Sequence, residues 1–183
     1  MKTQALMITL LLFANPVYAD KCKSTEYKLV DRTVSFGDTS KVALKSAKKA
    51  FRKRGASFDE NDTMIFVMFP KPYKNLGSIA YVKSSGRVTR IIFSYSKAFQ
   101  ARFGGLVDTL TVLLKKLVGK HGKAKNVDVK EEKGRVEADW AESNGASLHV
   151  IAQDPNGLVI RIDCDELERD LRQKAAKTEN FGF

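Results

Sequence analysis

The sequence predicts an α+β fold: a tandem α-βββ repeat, forming an antiparallel sheet with helices on one face and closed by one disulfide. Three observations predict it. Phe36 to Gly55 aligns without a gap on Phe103 to Gly122, at a constant offset of 67 residues. Each of these stretches has helical apolar spacing and is followed by three strand-like runs. The chain also holds just two cysteines, Cys22 and Cys164, on either side of this pattern.

The chain begins with Lys2, an apolar run from Ala5 to Phe13, a break at Asn15-Pro16, and then Val17-Tyr18-Ala19. Charge, apolar stretch and small residues in that order are the pattern of a secretory leader. The run is about half the length that spans a bilayer. Residues 1–19 are therefore expected to be cut away, leaving a periplasmic or secreted protein that starts at Asp20. Lipidation of Cys22 is not expected, because Asp20 and Lys21 occupy places where a lipoprotein leader carries small apolar residues. In an oxidising compartment two cysteines suggest one disulfide, which would tie the N-terminal segment to the last strand. A metal role is disfavoured, since His121 and His149 have no ligand-like spacing to either cysteine.

Residues 20–98 read as the first unit with its N-terminal segment, where a short extra strand is expected near Tyr27–Phe36. Asp38 or Thr39 is placed to cap a helix whose Ala43, Ala47, Ala50 and Phe51 recur at i, i+4, i+7, i+8, and Gly55 stands where a left-handed cap belongs. Strands are expected at Thr63–Phe69, Ser78–Lys83 and Arg87–Tyr95. The first of these, TMIFVMF, is apolar on both faces and reads as the more buried strand.

Residues 99–164 read as the second unit. Phe99, Phe103, Leu106, Leu110, Leu113, Leu114 and Leu117 form its helix stripe, with Gly104-Gly105 delaying the start and Gly122 ending it. Strands are expected at Arg135–Glu142, Ala146–Gln153 and Leu158–Cys164. Their alternation turns Val136, Ala138, Trp140, Leu148, Val150, Leu158, Ile160 and Ile162 to the core. It turns Glu137, Asp139, His149, Arg161 and Asp163 to an open face. Residues 165–183 are expected to form a closing helix, with Asp165 and Glu168 as a capping pair, and an aromatic tail.

Element order and the repeated FG…KK…G pattern resemble the exported tandem domains of β-lactamase inhibitor proteins and of small outer-membrane assembly lipoproteins. The resemblance covers roughly Tyr27 to Cys164 and implies binding rather than catalysis. This chain departs from it in lacking a lipidation signal and in its single end-to-end disulfide, and no site residue carries over.

The formal net charge is +11, and the expected cut removes one cation, Lys2. Such a chain is drawn to acidic partners. Lys41, Lys45, Lys48 and Arg52 fall on one stripe of the first helix with Lys49 beside it, a candidate site for anions or an acidic partner. The ordinary reading of such a stripe is a solvated helix face. Lys71, Tyr73 and Lys74, beside Pro70 and Pro72, make a candidate binding loop. Aromatics interleaved with the helix cations are absent, which argues against nucleic acid. No nucleophile elbow, zinc-helix motif or phosphate loop is present, so neither catalytic residues nor a cofactor are expected. The sequence thus points to a non-enzymatic exported binding module whose partner is a protein or an anionic envelope component. The other reading is a basic surface-associated protein that holds anionic lipid or polymer through the helix stripe. Nothing in the sequence sets the oligomeric state.

Overall fold

A computed structural model describes Cys22 and residues 34–102, 104–130, 134–141, 145–153 and 157–179. The expected leader, the segment 27–33, Phe103, the turn centres at 143–144 and 154–156, and the aromatic tail from Asn180 lie outside the described residues. Val34 to Phe36 are not in a strand.

Eight strands form one fully antiparallel sheet. They are β1 (Ser57–Glu60), β2 (Met64–Tyr73), β3 (Leu76–Ser84), β4 (Arg87–Tyr95), β5 (Asn126–Lys130), β6 (Arg135–Ala141), β7 (Ser147–Gln153) and β8 (Gly157–Asp163). Their spatial order is β1-β2-β3-β4-β8-β7-β6-β5, so two four-stranded meanders meet at their last strands. Helix α1 (Ser40–Phe51) precedes the first meander. The short α2 (Lys97–Ala101) and the longer α3 (Leu106–His121) precede the second, and α4 (Asp165–Glu179) closes the chain. The order of a helix followed by strands therefore recurs, and the short edge strands β1 and β5 extend each three-strand set to four.

One sheet face is covered. Helix α1 lies against β2 and β4, α3 against β7 and β8, and α4 against β3 and β4. Ala43, Ala47 and Phe51 of α1, Leu110 and Leu117 of α3, and Leu167 and Leu171 of α4 join a single buried cluster. From the sheet come Ile65, Val67, Ile79, Phe93, Ala138, Trp140, Leu148, Val150, Ile160 and Ile162. The alternation read from β6, β7 and β8 thus places the expected side chains inward. Packing of these apolar faces supplies the main drive to fold, at about 25 cal/mol per Å² removed from water.

Cys22 and Cys164 form a disulfide across 142 residues, and both are buried. Thr39 caps α1 through its backbone alone; the Asp38 carboxylate instead accepts from Ser35 N–H at 2.9 Å. The expected Asp165–Glu168 capping pair is replaced by another arrangement. Cys164 C=O accepts from Glu168 N–H at 3.1 Å, and Asp165 Oδ2 accepts from the Ser147 hydroxyl at 2.8 Å. As expected, Gly104-Gly105 delays the long helix, which starts at Leu106, and the residues before them form the separate short α2. Gly104 has φ +82°, a left-handed conformation that favours glycine, and a Cβ there would also push aside the exposed Asp108 carboxylate, 2.6 Å away. Thr109 ties the break together, since its buried hydroxyl donates to Gly105 C=O at 2.6 Å.

The proline segment is strand rather than loop. β2 runs through Pro70 and Pro72 to Tyr73, with an irregularity between Met68 and Tyr73 where the missing donors interrupt the ladder. Lys74 and Asn75, at φ 48° and 71°, form a two-residue turn whose positive φ values match the twist of a tight hairpin.

Candidate functional site

The sheet face away from the helices is the first candidate. Three rows of side chains cross it, fixed by strand register. The middle row reads Asp59, Phe66, Ala80, Ile92, Arg161, His149, Asp139 and Asn126 from β1 to β5. On one side lie Met68, Ser78, Ser94, Val159, Ile151 and Glu137. On the other lie Met64, Val82, Arg90, Asp163 and Ser147. The face is therefore divided. Its β2–β4 part is mostly apolar, apart from Ser78, Ser94 and Arg90 at the seam, and from Arg90 across β8 to β5 it is mostly charged.

In the apolar half, Met68 is 44% exposed, and Met64, Phe66, Val82 and Ile92 are half-buried. None of these belongs to the buried cluster or packs against it. Ala80 is 5% exposed although no described helix covers it; it lies in register between Phe66 and Ile92. Here the sequence expectation for TMIFVMF is corrected. Ile65, Val67 and Phe69 are buried beneath the helices, but the alternate residues face outward on the side that no described helix covers.

The charged half is largely self-paired. Arg90 Nε donates to Asp163 Oδ1 at 2.6 Å, and Arg161 Nε lies 3.1 Å from Asp163 Oδ2 without hydrogen-bond alignment. Arg135 Nε donates to Glu137 at 2.9 Å, and Lys130 Nζ lies 2.9 Å from Asp128 Oδ2. The Asp128 hydrogen bond, with its charge, raises the pKa of Lys130 above the ordinary lysine value.

Asp139, His149 and Ser147 stand in the order of a hydrolase triad: Asp139 Oδ1 to His149 Nδ1 is 2.6 Å, and Nε2 to Ser147 Oγ is 3.0 Å. The chemistry differs. Ser147 already donates its proton to Asp165, so its oxygen can only accept from Nε2–H. With Asp139 on Nδ1 and the Ser147 hydroxyl turned to Asp165, the serine proton is not directed at the ring, as activation of a serine would require. The trio sits on the paired strands β6 and β7. It locks strands together. Among the described residues, no cluster of metal-ligating side chains occurs.

The second candidate lies on the other side of the molecule. Lys41, Lys45, Lys48, Lys49 and Arg52 are all exposed. The structure joins them to the proline segment. A 3-10 turn, Arg52–Arg54, continues α1 and ends at Gly55, φ 71°. Arg54 places its guanidinium 5.3 Å from the Tyr73 ring centre, and Lys74 Nζ is 5.5 Å from the same centre. Phe51 packs edge-on against Tyr73 at 5.7 Å. The two features named separately in the sequence, the helix stripe and the segment Lys71, Tyr73 and Lys74, thus form one basic surface. Lys53 and Arg54 belong to it as well. Helical spacing alone misses them, and their signal in the sequence is the unbroken run RKR at 52–54.

No family model matches the chain, and comparison with curated proteins gives no match. Among solved structures, the chain is similar to a DUF4309 family protein, YjgB, from Bacillus subtilis subsp. subtilis str. 168. The TM-score is 0.44 over 80% of this chain and 88% of that one, at 10% identity, a likeness too distant to carry a functional reading.

Proposed function

We propose that the protein is an exported, non-enzymatic binding module that receives a partner protein on its open sheet face. The observation that carries this reading is the apolar part of that face, Met64, Phe66, Met68, Val82 and Ile92, which no described helix covers, beside a part whose charges are largely paired. Apolar side chains gathered on one hydrogen-bonded platform mark an interaction surface more than scattered ones do. The neighbouring charge network offers a fixed polar rim, which supports specificity. The leader-like N-terminus and the end-to-end disulfide support an extracytoplasmic setting.

The test uses the oxidised protein without residues 1–19, cross-linked in envelope extract at low and high salt. Wild type and a variant with Lys41, Lys45, Lys48 and Arg52 all changed to Glu are expected to capture the same protein in both salts. Met68→Asp is expected to lose it. Capture retained by Met68→Asp but lost by the charge-reversed variant overturns this reading.

A further inference from the structure

The cations of α1 and its 3-10 extension are not spread as an ordinary solvated surface would spread them. Between Ser40 and Gly55 there are seven lysines and arginines and no acid, and Pro70 to Asn75 adds Lys71 and Lys74, again with no acid. All nine are exposed. Nearly the whole positive excess of the chain, +11 before any processing, is thus matched by one surface. Among the described residues, none of the seven makes an ion pair. The carboxylate beside the row, Glu60, is engaged by the Ser40 hydroxyl and by Lys83 Nζ at 3.0 Å, so its charge is already answered.

We propose that this surface lies on an anionic lipid bilayer. Its shape argues for a sheet of charge rather than a strand. The stripe from Lys41 to Arg52 runs along a convex helix for about 16 Å, a length set by 1.5 Å per residue. No exposed aromatic ring interrupts it to stack a base. Val42, 49% exposed, sits within the row, and Leu44 floors a shallow depression beside Lys41, Lys45 and Lys48. Cations with an apolar residue among them suit headgroups with the edge of the acyl region below. At the end of the row, Arg54 and Lys74 are held in place by Tyr73, so they meet the surface with less freedom to lose. Because α1 packs on the sheet's covered side, this orientation leaves the bare sheet face directed away from the bilayer.

Co-sedimentation with unilamellar vesicles tests it, using neutral phosphatidylcholine vesicles and vesicles containing phosphatidylglycerol. Wild type is expected to bind only the anionic vesicles and to be released by high salt. Changing Lys41, Lys45, Lys48 and Arg52 to Glu is expected to lower partitioning by about a hundredfold or more, at about fivefold per cation removed. Reversing the same number of charges at Lys115, Lys116, Lys123 and Lys125 is expected to cost far less, which separates this surface from net charge alone. A thermal midpoint close to wild type in both variants verifies folding, and a variant with Gln at the four α1 positions replaces the Glu variant if it unfolds. Equal binding to neutral vesicles, equal loss in both sets, or binding to soluble polyphosphate but not to vesicles overturns the proposal. Met68→Asp is expected to leave vesicle binding unchanged, so this proposal and the sheet-face reading fail by different results.

Discussion

Arg90 and Asp163 are register partners across the β4–β8 seam, with Arg90 Nε 2.6 Å from Asp163 Oδ1. That seam is where the two four-stranded meanders join. Asp163 is 4% exposed and stands between the guanidinium groups of Arg90 and Arg161. The carboxylate therefore offsets two cations that strand register forces together.

Asp163→Asn keeps the shape and removes the charge, leaving two guanidinium groups without their shared partner. The expected cost is about 3 kcal/mol, the low end of the range for breaking a buried pair, because both arginines reach solvent. Arg161→Gln is expected to cost under about 1 kcal/mol, since Arg161 Nε is not aligned to donate. Urea denaturation of the two variants measures both. Equal costs would remove Asp163 from its role at the seam.

The disulfide constrains a different part of the chain. Cys22 and Cys164 close a loop with a sequence separation of 142, and the chain-entropy model gives about 5 kcal/mol as an upper figure for such a loop. The double variant Cys22→Ala/Cys164→Ala is expected to lose about 3–5 kcal/mol in urea unfolding. Reduction of the wild type should shift the midpoint by a similar amount. A shift below about 1 kcal/mol would mean that the unfolded chain gains little freedom when the bridge is removed.

Much of this architecture was legible from residue pattern alone, because alternation has one physical meaning in a sheet with one covered face. Val136, Ala138 and Trp140 had to turn inward once Glu137 and Asp139 turned outward. Which face of β2 the helices leave open was not legible. TMIFVMF is apolar at every position but its first, and alternation cannot show which of two apolar faces a helix will cover. The union of the α1 stripe with Tyr73 was also hidden, because it depends on β2 running on through two prolines. Ser57–Glu60 and Asn126–Lys130 are short edge strands with few core contacts, so their side chains carry little of the pattern that reveals a strand.

Two titrating groups define limits in pH. The Ser40 hydroxyl hydrogen bond, followed by Lys83, lowers the pKa of Glu60 below its ordinary 4.5. A lowered folded pKa contributes stability that is present above pH 4.5 and is lost as pH falls through the folded value. Glu60 is largely exposed, so after solvent screening the contribution is about half a kcal/mol. Burial raises the pKa of Tyr95 above 10.0. Its contribution is complete below pH 10 and is lost as pH rises through the folded value. Urea midpoints of Glu60→Gln should fall less than wild type between about pH 6 and pH 3. Those of Tyr95→Phe should fall less between about pH 9 and pH 11. Parallel curves in either pair would remove that group from the pH response.

Val67 and Met68 are neighbours in β2 that point to opposite faces, and they test the division of the sheet directly. Val67 is fully buried beneath the helices, whereas Met68 is 44% exposed on the opposite face. Val67→Asp places an unpaired carboxylate in an apolar interior and is expected to cost more than about 4 kcal/mol, enough to prevent folding of a marginal domain. Met68→Asp is expected to change stability by about 0.5 kcal/mol or less, as an exposed substitution should. Far-UV circular dichroism and urea unfolding measure both. If Met68→Asp were as damaging as Val67→Asp, the second face of β2 would be covered. The proposed docking on this face would then fail, so this pair of substitutions tests the platform before any partner is sought.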